Sequence, residues 1–245
     1  MSTQPSQQRF VFPYPEEAVT AKDMAKALNT VASKLDEWGL ITSNGYSVLA
    51  GEARRLGRFK EDTTWQVEID RGNPISFIEA EDKNGRPIYP RIVCEGISVD
   101  FHHGSLPPFH SFDIAMEIVD GNEEPVARWH IDLANEKDDG MQSGPLLHIQ
   151  FGGHVQGFRE RDHPLKVPRW CHPPLDLILL SEVTVANFYT EFWEKLREDQ
   201  NWCQAIAVGQ KLCYSAYLRK LTSSLAVSSK SLLHSMWASD WKSDS

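Results

Sequence analysis

The chain reads as an α+β protein with a predominantly antiparallel sheet, an N-terminal helix and a C-terminal helical layer, and three patterns predict that class. Met24, Leu28, Val31, Leu35 and Trp38 recur at helical spacing. From Thr63 the period drops to two, with Asn84-Gly85 and Asp120-Gly121 marking hairpin turns. From Leu175 a broad apolar face returns with helical spacing, through Ile178, Leu179, Val185, Tyr189, Phe192 and Leu196.

The first helix has both ends marked in the sequence. Thr20 with Asp23 three residues on imitates a capping box, and Gly39 supplies the left-handed stop. A meander follows. Trp65, Val67 and Ile69 alternate with Gln66, Glu68 and Asp70; Ile75 to Glu81 turns at Asn84-Gly85 into Ile88 to Cys94; and Ile97 to Phe101 forms a further strand. Pro107-Pro108 makes the segment from His102 to His110 a loop. The next hairpin has arms Phe112 to Val119 and Val126 to Ala134. Asn135 to Gly144 is polar and reads as an exposed loop without the ligand spacing of a calcium site, and Leu146 to Phe151 is the last expected strand. Pro173-Pro174 suits a helix start, a second helix begins near Asn201, and the Ser-rich tail keeps Leu232, Leu233, Met236, Trp237 and Trp241, the pattern of a short amphipathic helix.

These elements divide 245 residues into a flexible N-terminal segment (1–19), one domain (20–221) and the tail (222–245). A formal charge of −9 argues against a general nucleic-acid sleeve, because a phosphate-binding surface is built from excess Lys and Arg. Arg54, Arg55, Arg58 and Lys60 are read as solvated surface charge. The four cysteines form no C-x-x-C pair, so neither a zinc knuckle nor a disulfide framework is signalled and a reducing compartment, the cytoplasm, is expected. No apolar run approaches the length of a membrane span, and no signal peptide is visible.

Candidate chemistry gathers between Val126 and Asp176. Alternation puts Arg128, His130 and Asp132 on one strand face, and His148 and Gln150 on one face of the next strand. If the two strands pair with their apolar faces together, His130, Asp132, His148 and Gln150 form one polar patch. Three readings share those residues. They form a hydrogen-bonded ladder without chemistry, a general acid/base site of His130, Asp132 and His148, or a metal-assisted site with Gln150 or His154 behind the ligands. No cofactor is identifiable, since neither G-x-G-x-x-G nor a P-loop occurs. Gly152-Gly153 permits a sharp turn or close approach to a ligand. Arg159, Arg161 and Arg169, with His154, are the candidates for a local RNA or anion contact, weighed against ordinary ion pairs to the many carboxylates. Cys171 is flanked by Arg169 and His172, neighbours that would lower a thiol and make it a nucleophile for a transfer reaction. That segment's order loosely resembles ubiquitin-conjugating enzymes, but their His-Pro-Asn stretch is missing.

Arg128-Trp-His-x-Asp, then Gly144-Pro-Leu-Leu-His-Ile-Gln-Phe-Gly-Gly, then Pro168-Arg-Trp with Pro173-Pro174-Leu-Asp176 and Asn187-Phe-Tyr189 together resemble a pattern in uncharacterised bacterial proteins. Such proteins are associated with defence or toxin–antitoxin systems. The resemblance covers neither the N-terminal helix nor the tail, and it implies no reaction. The leading expectation is therefore a noncatalytic binding or regulatory subunit with a protein partner, in which Trp237 and Trp241 join Gln150, His154, Arg159, Arg161 and Arg169 as binding residues. The rivals are a ribonuclease-like or metal-assisted hydrolase using His130, Asp132 and His148, and a Cys171-dependent transfer enzyme.

Overall fold

Thr20 opens helix α1 (Ala21–Glu37) through the expected reciprocal cap: Asp23 N–H donates to Thr20 Oγ1 at 3.1 Å, and Thr20 N–H donates to the Asp23 carboxylate at 3.1 Å. Gly39, at φ +63°, ends it. The computed structural model describes residues 18–60, 63–103, 107–134, 136–137, 140–152, 157–158, 167–226 and 229–243. Most of the expected N-terminal segment (1–17) lies outside them.

Helix α2 (Ser43–Leu56) has no counterpart in the sequence expectations. Its first turn, Ser-Asn-Gly-Tyr-Ser, has turn-like composition, which hides a helical stripe of Leu49, Ala50, Ala53 and Leu56. Tertiary packing decides the matter. A side chain at Gly45 would overlap the Ser76 backbone, so glycine is what lets α2 seat against the sheet.

The sheet is antiparallel throughout. It comprises β1 (Thr64–Ile69), the short β2 (Ile75–Ser76) and β3 (Ala80–Glu81), β4 (Pro87–Asp100), β5 (Phe109–Asp120), β6 (Pro125–Leu133), β9 (Leu147–Phe151) and β10 (Trp170–Cys171) in the order β1-β4-β5-β6-β9-β10, with β2 and β3 also paired to β4. Between β6 and β9, β7 (Glu136–Lys137) and β8 (Gly140–Met141) form a small ribbon where a plain loop was expected. The two strands expected at 88–94 and 97–101 are one. Cys94 faces Ile114 while Gly96 faces Asp113, a bulge that restores the apolar phase so that Ile92, Cys94, Ile97 and Val99 all enter the core. At the β5–β6 turn the positive φ belongs to Glu123 (62°) rather than Gly121; Glu123 N–H donates to Asp120 O at 3.0 Å, and its carboxylate meets Arg91 Nη1 at 3.1 Å.

The long helix expected from Leu175 is two. α3 (Leu177–Phe188) is buried around most of its surface and lies on β4 and β5; Tyr189 then leaves helical geometry, donating its hydroxyl to Ile78 O at 2.5 Å, before α4 (Thr190–Leu196). α5 (Gln200–Leu225) packs on α1 and α3. The tail forms α6 (Leu232–Ser235) and α7 (Ala238–Ser243), docked on the domain by Leu146 N–H to Met236 O at 3.0 Å and Ala238 N–H to Gly144 O at 2.9 Å. Met236, Ala238 and Trp241 join Leu146, Leu147 and Tyr217 in a second apolar cluster. Among the described residues no helix is long and apolar enough to cross a membrane.

Both sheet edges are protected against strand addition. On β1, Gln66 O accepts from Arg55 and Glu68 N–H donates to Glu52 Oε1, so α2 side chains occupy the outward backbone groups. At the far edge, β10 is bracketed by Pro168 and Pro173, which carry no N–H.

Candidate functional site

The face of the sheet away from α3 carries the polar side chains, in rows set by strand register. His130 faces Gln150 and Asp132 faces His148 across β6 and β9, the pairing that the alternation required. On the other side of β6, Asp113 faces Asp132, Ala115 faces His130, and Glu117 faces Arg128. Because Ala115 is small, the His130 ring can reach along the row, and its Nε2 donates to Asp113 Oδ1 at 2.7 Å. On its other side, Nδ1 lies 3.4 Å from Gln150 Nε2 and 3.6 Å from Asp132 Oδ2. His148 is held by Nδ1 to Pro145 O at 3.2 Å, while its Nε2 lies 2.5 Å from Asp132 Oδ1. That contact lies off the ring's N–H direction, so both atoms remain buried without a directed hydrogen bond.

His130 and His148 are 1% and 0% exposed, so neither ring is open to solvent. A general base must reach the proton it takes, and these rings are enclosed, with His148 fastened to backbone. Exposure remains at Asp113, whose side chain is 29% accessible, and at the half-buried Gln150. Among the described residues, no group of three or more His, Cys, Asp or Glu side chains is arranged to hold a metal ion.

Next to this row lies a second, which the sequence reading did not single out. Glu117 is wholly buried and meets three arginines: Arg71 at 2.7 Å, Arg91 at 3.0 Å and Arg128 at 3.1 Å. Arg71 and Arg91 also reach Glu95 and Glu123. Arg128, equally buried, donates Nη1 to Gly152 O at 3.1 Å and leaves Nη2 without a partner. Burial pulls its guanidinium below the usual value, against the attraction of Glu117. Counting back from the hairpin turn after Asp120 would put Glu117 opposite Ala127; a register shift between Ile118 and Val119 brings it opposite Arg128 instead, which the sequence does not signal.

The remaining sequence candidates that the structure describes do not join these rows. Arg169 donates to Ser143 O at 3.0 Å. His154, Arg159 and Arg161 lie outside the described residues. Cys171 contacts the Tyr217 hydroxyl at 3.2 Å, and burial pushes its thiol up, the reverse of the lowering expected from Arg169 and His172. Those neighbours are turned elsewhere: His172 Nδ1 faces Pro173 O at 2.6 Å. Trp241 is 2% exposed against Tyr217 and Trp237 is half-buried, so neither stands free as a docking anchor. The exposed aromatic group is elsewhere. Trp170 on β10 is 66% exposed, and opposite it stands half-buried Ile149, beside Phe151 at 40%, whose ring meets Trp129 edge-on at 5.9 Å. No protein-family model, curated protein or solved structure matches the chain, so its function is argued from this geometry.

Proposed function

We propose that the chain is a noncatalytic binding or regulatory subunit whose protein partner docks on the aromatic end of the sheet around Trp170, Phe151 and Trp129. The carrying observation is the 66% exposure of Trp170 beside two partly exposed aromatic rings. A tryptophan loses most by remaining in water, and such anchors dominate protein interfaces. Pro168 and Pro173 disfavour strand addition, so recognition runs through side chains. The resemblance in Arg128–Tyr189 makes a bacterial defence or toxin–antitoxin system the proposed setting. The hydrolase reading has the convergence of Asp113, His130, Asp132 and His148 in its favour; burial of both rings weighs against it. An RNA or anion contact has less support, because Arg169 is tied to Ser143.

Capture from lysate of the native host, followed by mass spectrometry, provides the test. A specific protein should be retained by the wild-type chain, and Trp170→Ala should weaken that complex by at least about 2 kcal/mol, roughly thirtyfold in Kd. The same substitution should change the urea midpoint by no more than about 0.5 kcal/mol equivalent, because little of the ring is buried. Undiminished capture by Trp170→Ala would remove the aromatic end as the docking surface.

A further inference from the structure

Where α3 meets α5, Asp176 is completely buried. It caps α3, with Oδ1 accepting from Leu179 N–H at 2.9 Å, while Oδ2 has no hydrogen-bond partner. The opposing surface of α5 is Gly209: a Cβ there would stand 2.9 Å from Oδ1 and 3.3 Å from Oδ2, so the two helices close directly over the carboxyl group. Among the described residues, the ionisable groups that interact with it are Cys213 and Tyr214 on α5 and Cys94 on β4, with Glu182 further along α3. None of these is a cation. A carboxylate here has one oxygen solvated by nothing, whereas a carboxylic acid avoids burying a charge.

We propose that Asp176 is a proton-sensitive latch of the helical layer: α3 seats against α5 around the neutral carboxylic acid, and ionisation of that acid loosens the α3–α5 contact. Burial is the main cause pushing this carboxyl up, to about 6 from its ordinary value of 3.8, and the backbone N–H groups at the start of α3 only partly oppose it. The sign follows from proton binding. Below about pH 4 both folded and unfolded chains hold the proton, and the folded state has its full stability. Between about pH 4 and 6 only the folded chain holds it, so stability falls as pH rises; above that range both are ionised and the loss is complete. That difference corresponds to roughly a hundredfold in the unfolding constant.

Carbon-13 NMR of wild-type protein labelled at aspartate carboxyls should show one aspartate titrating near pH 6, absent from Asp176→Asn. Exchange of α3 amides, corrected for intrinsic rates, should accelerate along the same titration. Urea unfolding should show Asp176→Asn, which keeps a capping oxygen, gaining on wild type by roughly a hundredfold in the unfolding constant between pH 4 and 7. A ratio of wild-type to variant stability that stays constant with pH overturns the latch. If the variant does not fold, the wild-type spectrum decides, since an aspartate set titrating wholly below pH 5 removes the proton that the latch requires.

Discussion

Glu117→Ala is expected to destabilise the fold by about 3–5 kcal/mol, the range for removing one partner of a buried ion pair. The carboxylate lies at the centre of the sheet and is the shared acceptor for Arg71, Arg91 and Arg128. Arg71 and Arg91 are partly accessible and have Glu95 and Glu123 as second partners, so they can turn to those groups and to water. Arg128 cannot. Its side chain is wholly buried, one Nη is already unpartnered, and without Glu117 it keeps only the carbonyl of Gly152. The free energy lost is therefore mainly that of an uncompensated buried guanidinium. Glu117→Gln should cost less, since the amide oxygen still accepts from one arginine. Pairing Glu117→Ala with Arg128→Met should recover much of the loss, because the charge that suffers is then removed with its partner. Urea denaturation of the three variants measures this. A double variant no more stable than Glu117→Ala would show that packing volume, rather than the stranded charge, sets the cost.

His148→Ala should cost about 2–4 kcal/mol and leave partner capture by the folded protein intact. The ring is fully buried between Pro145 O and Asp132, so its removal opens a cavity and leaves a largely buried carboxylate facing it. A catalytic histidine behaves oppositely. Its loss abolishes turnover and leaves stability near wild type, as functional groups carry little of the fold. If His148→Ala unfolds at the wild-type urea concentration while the biological activity disappears, the row is a site, and the binding-subunit proposal must give way to the hydrolase. His130→Ala provides the companion measurement, because His130 touches carboxylates at both ends and Asp113 is partly exposed.

Legibility in the sequence followed the range of the interaction. The α1 cap and stop needed only residues within one turn of each other, and they stand as expected. Period-two alternation put His130 with Asp132 and His148 with Gln150 on strand faces, while the pairing and register of β6 with β9 that join them into one row came from the structure. α2 was obscured because Asn44-Gly45 has turn chemistry, and only the approach to Ser76, thirty-one positions away, makes Gly45 a packing residue. β10 was likewise hidden. Two residues between prolines carry no periodicity, and they become a strand only because β9 offers an edge.

The sequence alone determined the α+β class, the main alternating strands, the ends of the first helix and the grouping of His130 with Asp132, since these depend on local geometry and repeating pattern. Only the tertiary structure decided which of those groups are enclosed. Exposure is a property of what other segments cover, so nothing local distinguishes His148, sealed beside Pro145, from a histidine open to substrate, or Trp241, buried on Tyr217, from Trp170, left in water. The direction of each proton preference followed the same division. Cys171 and Asp176 are both raised by burial, a long-range effect that outweighs the neighbouring charges and helix start visible in the chain.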